Sequence, residues 1–285
     1  MKFHKYQGAG NDFVLIENLD ARIPEGKKGD IATRLCDRRF GIGGDGLLLV
    51  EGSNEADVRM RVFNPDGSEP EMCGNGIRCI SKHVYDNGIV GKEEISIETL
   101  AGIKKVKNTI RDGRVTYVKV EMGRPEFERS KIPAKGSGLL LNQKMEVDGE
   151  DVEISAINTG VPHVVVFVDD IEEVEVRRIG RAIRYSGLFP EGTNVNFVQE
   201  VGNNIFKVRT YERGVEDETL ACGTGIAACG AISVALDRAD PEKPTEFRAR
   251  GGTIYIEVEG RGEKIERVYM NGPVEFVFEG EIEVL

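Results

Sequence analysis

The stretch Ala221-Cys222-Gly223-Thr224-Gly225-Ile226-Ala227-Ala228-Cys229-Gly230-Ala231-Ile232-Ser233-Val234-Ala235-Leu236 decides how this 285-residue chain is read. From Ile226 onward Ser233 is its only polar side chain, so a helix formed there is apolar on every side and has to be enclosed. Its small residues let surrounding strands approach closely. Most other signals in the chain are strand signals. Val58–Phe63, Val115–Val120 and Ile205–Tyr211 alternate apolar and polar residues. Phe13–Glu17, Leu47–Glu51, Ile95–Thr99, His163–Val168 and Val195–Gln199 read as further strands, with turns at Asp112-Gly113 and Asp148-Gly149. A buried helix among many strands predicts a sheet curled around it.

The stretch has a counterpart. Met72-Cys73-Gly74-Asn75-Gly76-Ile77 repeats Ala221-Cys222-Gly223-Thr224-Gly225-Ile226 at a distance of 149 residues (222 less 73), one copy in each half. Each copy also follows an alternating strand and a polar loop. The predicted architecture is therefore α+β. It has two pseudo-symmetric domains, each a curled, mostly antiparallel, barrel-like β-sheet around a central buried helix. The first domain comprises residues 1–121 with 273–285, and the second residues 122–272. The helix after Cys73, at Ile77–Tyr85, is more mixed, and Arg78, Lys82 and His83 read as its polar side. Ile31–Asp37 and Val174–Ile183 are the other helix candidates.

Composition narrows the function classes. Hydrophobic residues make up 40% and charged residues 31%, the mixture of an ordinary globular chain. A net charge of −11 argues against broad nucleic-acid or anionic-membrane binding. No apolar run approaches the ~20 residues of a membrane span, and the opening Met1–Tyr6 lacks the apolar core of a signal peptide. Five cysteines form no disulfide framework in so long a chain. A reducing cytoplasm is the expected home.

A thiol just ahead of a Gly-x-Gly turn and a helix start lies among backbone N–H groups that stabilise a thiolate. The same donors suit a carboxylate. Cys36, Cys79 and Cys229 read instead as buried, inert thiols. The cysteine spacings do not make a zinc site, because no Cys-x-x-Cys or nearby His completes a set. Two opposed thiols form a matched base and acid: one removes the proton of a carbon acid, and the other returns a proton to the opposite face. A noncatalytic amino-acid binding protein lined by thiols is the reading from a different class.

Several motifs resemble those of the diaminopimelate epimerase family: Gly8-Ala9-Gly10-Asn11-Asp12-Phe13, Phe63-Asn64-Pro65-Asp66-Gly67-Ser68-Glu69, Met72–Gly76, Pro162-His163, Thr193-Asn194, Tyr211-Glu212-Arg213-Gly214 and Ala221–Gly225. The resemblance covers nearly the whole length. It implies an isomerase that needs no PLP, metal or other cofactor, converts L,L-diaminopimelate to the meso form in lysine biosynthesis, and works as a cytoplasmic homodimer. By resemblance Cys73 and Cys222 are the acid–base pair, and His163 and Glu212 tune the thiols. Asn11, Asn64, Asn194, Glu212 and Arg213 contact substrate, while Gly74, Asn75, Gly223 and Thr224 hold the reacting carboxylate. Asn11 and Asn64 have a plainer reading as turn residues, His163 as a satisfied strand histidine, and Glu212-Arg213 as a solvated pair. Proline and hydroxyproline racemases are the nearest rival, but they typically carry His where this chain has Asn75. The chain departs from the usual family pattern at Gly46 and Val161, so that an amide contact is either lost or its work passes to Asn158 or Thr159.

Overall fold

A computed structural model describes residues 1–283. The chain forms two compact units, Met1–Val120 with Gly272–Leu285 and Glu121–Asn271. The first contains strands β1 (Lys2–Gly8), β2 (Asn11–Glu17), β3 (Gly46–Glu51), β4 (Val58–Phe63), β5 (Glu94–Thr99), β6 (Gly102–Arg111) and β7 (Arg114–Gly123), with helices α1 (Lys28–Cys36) and α2 (Gly74–Asp86). The C-terminal strand Glu275–Glu281 returns to pair antiparallel with β1.

The core of this unit explains its sequence pattern. β2 and β3 pair in parallel and are buried on both faces, so Phe13–Ile16 and Leu47–Val50 are continuous apolar runs rather than alternating ones. Val14, Ile16, Leu47 and Leu49 pack with Ile31 and Leu35 of α1. α2 lies against β1, β2, β3, β4 and β6. The sheet thus curls around α2, as expected, without closing into a barrel.

One expectation for α2 is corrected. Arg78, Lys82 and His83 do not form a solvent side; all three are buried. Strands surround that face too, so each polar group is satisfied internally, as burial demands. Lys82 Nζ donates to Asp86 Oδ2 at 2.7 Å and to the Val115 carbonyl at 2.6 Å. His83 lies 3.1 Å from Tyr6 Oη and 2.9 Å from Glu17 Oε1. Arg78 donates to Asn75 Oδ1 at 2.9 Å and to the carbonyls of Gly74 and Pro273 at 3.2 and 3.3 Å.

The second unit holds β8 (Gln143–Val147), β9 (Glu150–Asn158), β10 (Pro162–Phe167), α3 (Val176–Arg184), β11 (Asn194–Gly202), β12 (Ile205–Glu212), β13 (Asp217–Thr219), α4 (Gly223–Ala235), β14 (Thr245–Ala249), β15 (Gly252–Glu259) and β16 (Arg267–Pro273). Asp148 and Gly149 both have positive φ, 51° and 86°, as the two-residue hairpin between β8 and β9 requires. β10 and β11 run parallel, and most other pairs are antiparallel. α3 covers one sheet face through Val176 and Ile183, and α4 packs on β9, β10, β11 and β15.

Every residue of α4 from Gly225 to Val234 is buried. Close approach is built into Gly230: a Cβ there would stand 2.4 Å from Ile256 Cγ2 and 2.9 Å from Ile256 Cβ. Gly230→Ala is therefore expected to lower stability by about 1–3 kcal/mol through overpacking, despite the better helix propensity of Ala. Urea unfolding of the variant measures this, and a stabilised protein would contradict the packing described.

Candidate active site

Both helices that follow the repeated motifs begin in the same way. Cys73 is the N-cap of α2, with φ −136° and ψ 114°. Cys222 is the N-cap of α4, with φ −114° and ψ 110°. The carbonyl of each accepts the N–H four residues on, from Ile77 and Ile226, at 2.9 Å. Extended backbone at the cap brings each sulfur back over the first helical turn, where N–H groups lack intrahelical partners and the helix dipole favours negative charge. Gly76 N–H donates to Cys73 Sγ at 3.3 Å. Cys222 Sγ lies 3.4 Å from the hydroxyl of Thr224. Cys73 thus accepts from a backbone amide, and Cys222 neighbours a hydroxyl.

The glycines of the motifs hold these turns close to their sheets. A Cβ on Gly76 would meet Leu48 Cδ2 at 2.9 Å, and one on Gly225 would meet Asn196 Oδ1 at 2.3 Å. The remaining cysteines are buried, as expected. Burial pushes the Cys36 thiol up to about 11 and Cys79 to about 12, and raises Cys229 well above the ordinary thiol range.

Around the first motif the side chains form a chain of contacts. Asn75 Nδ2 donates to Asn11 Oδ1 at 3.2 Å, and Asn11 Nδ2 donates to Asp45 Oδ2 at 2.6 Å. Arg38 Nη2 bridges Asp45 Oδ1 at 2.7 Å and Asp12 Oδ1 at 2.6 Å. Asn11 is therefore linked to the helix N-terminus through Asn75. Asn64 lies in a turn: its carbonyl accepts the Gly67 N–H, and its Nδ2 donates to Ser68 Oγ at 2.9 Å. At Gly46 no side chain fits, since a Cβ would be 2.9 Å from the Phe63 carbonyl oxygen.

Around the second motif, His163 on β10 is fully buried, with Nε2 3.0 Å from Thr224 Oγ1. Thr159 Oγ1 donates to the Thr224 carbonyl at 2.9 Å, whereas Asn158 is occupied with Lys131 and Gly160. Of the two expected substitutes, Thr159 is thus the one beside the motif. Asn194 Nδ2 donates to the Pro162 carbonyl at 3.0 Å, and Asn194 Oδ1 accepts the Arg213 N–H at 2.8 Å. Arg213 Nη1 donates to the Glu191 carbonyl at 3.2 Å. Glu212 ends β12, and its carbonyl accepts the Glu216 N–H at 2.8 Å. Asn196 and Thr210, treated in the sequence only as strand residues, also belong to this group. Asn196 interrupts the apolar run Val195–Val198, whereas Thr210 takes an inward position of an alternating strand.

Burial, and after it the charge of Arg213, lowers the His163 pKa to about 3. The ring is neutral in the folded protein across the physiological range, while in the unfolded chain it titrates near 6.5. The unfolded state thus binds the extra proton, and the stability held above pH 6.5 is lost as pH falls toward the folded value. His163→Gln is expected to flatten the fall in urea midpoint between pH 6.5 and 5, above the range where carboxylates dominate. An unchanged slope would contradict a neutral buried ring.

Among the described residues, His4, Glu17 and His83 are the grouping whose metal-ligating atoms converge. His83 lies ten residues along α2 from Cys73, about 15 Å by helical rise, and already hydrogen-bonds Glu17. A cavity of about 580 Å³ in the second unit is lined by Asn142, Glu153, Phe167, Asp169, Glu200 and Arg238, among others, and by none of the site residues. No helix among the described residues is long and apolar enough to cross a membrane.

Two units of this build define a fold seen in solved structures of low sequence identity. A phenazine biosynthesis protein from Bacillus anthracis matches with a TM-score of 0.75 at 19% identity, covering 99% of both chains. A hydroxyproline epimerase from Agrobacterium vitis, solved with trans-4-hydroxy-L-proline, matches with a TM-score of 0.68 at 15% identity, covering 98% of this chain and 91% of that one. Sequence narrows the class. The diaminopimelate epimerase family model matches residues 3–128 and 155–277. The diaminopimelate epimerase of Methanothrix thermoacetophila is 48% identical over 98% of this chain and 95% of its own length. That of Methanocella arvoryzae is 46% identical over 100% of this chain and 97% of its own. The chain belongs to the diaminopimelate epimerase family.

Proposed function

We propose that this protein interconverts L,L- and meso-diaminopimelate, as a step of lysine biosynthesis, by acid–base catalysis with two thiols and no added cofactor. The observation that carries the reading is the matched placement of Cys73 and Cys222 as helix N-caps. An inversion at one carbon needs a base on one face and an acid on the other, and the two must exchange roles for the reverse direction. Caps of the same backbone geometry place each thiol at a helix start, where either one can serve as base or acid.

In the forward direction the Cys222 thiolate takes the α-proton of the L,L substrate. The electron pair left on carbon spreads into the carboxylate, where the first-turn amides of Gly74 and Asn75, and of Gly223 and Thr224, offset the growing charge. The Cys73 thiol donates its proton to the opposite face. Cys222 ends as thiol and Cys73 as thiolate, ready for the return reaction. An ordinary thiol near pKa 8.5 is only a few per cent ionised at neutrality, so support from the helix start is part of the mechanism. His163 and Glu212 complete the tuning of the thiols. Asn11, Asn64, Asn194 and Arg213 hold the substrate, Arg213 through the guanidinium fork that suits a carboxylate. The absence of room at Gly46 supports a distal-end contact made by other groups. The working unit is a cytoplasmic homodimer.

Purified protein, kept reduced and given only L,L-diaminopimelate, is expected to reach a mixture with the meso isomer, read by chiral chromatography. Proline and 4-hydroxyproline should stay unchanged. A folded protein that leaves diaminopimelate untouched, or that racemises proline instead, overturns the assignment.

A further inference from the structure

The side chains behind Cys222 form a hydrogen-bonded series whose directions can be assigned as far as Thr224. Asn196 on β11 is fully buried, and its Nδ2 lies 2.9 Å from the Val164 carbonyl. A carbonyl only accepts, so this contact fixes which end of the amide is nitrogen. The hydroxyl of Thr210, also buried, donates to Asn196 Oδ1 at 3.0 Å and agrees with that orientation. The same Nδ2 then faces His163 Nδ1 at 3.3 Å. A nitrogen that receives an N–H is unprotonated, so neutral His163 carries its proton on Nε2. From Nε2 it donates to Thr224 Oγ1 at 3.0 Å. Accepting from Nε2 leaves the Thr224 hydroxyl proton free to point at Cys222 Sγ, 3.4 Å away, and a thiolate there can only accept it.

We propose that Asn196, held by Thr210 and the Val164 carbonyl, is a positioning residue that locks His163 as the Nε2–H tautomer and so directs the Thr224 hydroxyl proton onto Cys222. The inference rests on the two-thiol reading above and gives His163 a definite part in it. No proton travels along the series. The α-proton goes from carbon to sulfur, and the chain of donors favours the thiolate that accepts it. Burial makes the arrangement effective, because a directed donor counts for more where water cannot compete. Gly225 belongs to the same device, since any side chain there would displace Asn196 Oδ1.

Asn196→Asp tests it. A carboxylate at this place accepts from Nδ1, moving the ring proton there; Nε2 then accepts from Thr224, and the hydroxyl turns away from sulfur. The chain has three histidines, so nitrogen NMR of ¹⁵N-histidine protein, with His163→Gln for assignment, reads the tautomer directly. The wild type is expected to show protonated Nε2 and bare Nδ1, and Asn196→Asp the reverse. In a Cys73→Ser background, the rate of Cys222 alkylation by iodoacetamide at pH 7.5 should fall about tenfold in Asn196→Asp. With both cysteines present, kcat should fall by a similar factor at nearly constant KM. Thr210→Val, which frees the amide, is expected to act in the same direction and carries the test where Asn196→Asp does not fold. An unaltered tautomer in the folded variants overturns the proposal, as does an inverted tautomer with wild-type alkylation and kcat. Neither the NMR nor the alkylation requires turnover. A wild-type protein that shows both signatures yet fails to epimerise therefore tells against the functional reading alone.

Discussion

Cys222→Ala and Cys73→Ala are each expected to lower kcat for diaminopimelate epimerisation by at least about 10³-fold, near the upper range for loss of a positioned acid or base. The two losses should be nearly equal, because inversion stops whichever partner is missing. They should also be non-additive, so that the double variant is no worse than either single one. Substrate binding should survive, since the first-turn amides and the asparagines remain. Serine should rescue little: its hydroxyl is far less acidic than a thiol and is not ionised by the same helix start. Steady-state kinetics, with far-UV circular dichroism to confirm folding, decides the matter. A Cys73→Ala enzyme retaining a tenth of wild-type kcat would remove Cys73 from the chemistry.

The second large effect concerns stability. Arg78→Met is expected to cost about 3–5 kcal/mol, measured by urea unfolding. Arg78 is fully buried in the first unit and donates to Asn75 Oδ1 and to the carbonyls of Gly74 and Pro273. Methionine fills much of the volume but leaves those acceptors without this donor, at about 1–3 kcal/mol for each buried group left unsatisfied. The chain makes room for the guanidinium at two glycines. A Cβ on Gly8 would stand 3.1 Å from Nη2, and one on Gly272 2.9 Å from Cζ. Arg78 thereby ties the N-terminus of α2 to the Pro273 carbonyl directly and, through Asn75 and Asn11, to the start of strand β2. A loss below 1 kcal/mol would show that these contacts are not strong in the folded protein.

Arg78 also marks where the sequence is hard to read. In α4 a run with one hydroxyl leaves a single physical option, full enclosure, and the helix is enclosed. In α2 the charged residues suggested an exposed side because charge ordinarily seeks water. Partners that make burial tolerable come from Val115, Tyr6, Glu17 and Pro273, remote positions that no local pattern announces. β1 was missed for the same reason: His4 and Lys5 look like surface residues but are buried, with Lys5 Nζ 2.6 Å from Asp12 Oδ2. The cysteine caps were legible, since a thiol before Gly-x-Gly and an apolar run dictates its own local geometry. Asn196 and Thr210 were not, because a polar residue in a strand gains meaning only when its neighbour across the sheet is known.

The most direct test of two thiols acting on one carbon is the fate of the α-hydrogen at early times in D₂O, starting from unlabelled L,L-diaminopimelate. Before much product has formed, mass spectrometry should find each meso molecule carrying one deuterium, delivered by Cys73, while the remaining L,L substrate keeps its hydrogen. Deuterium appearing in unreacted L,L substrate as fast as in product would mean that a single group serves both faces, and would contradict the mechanism.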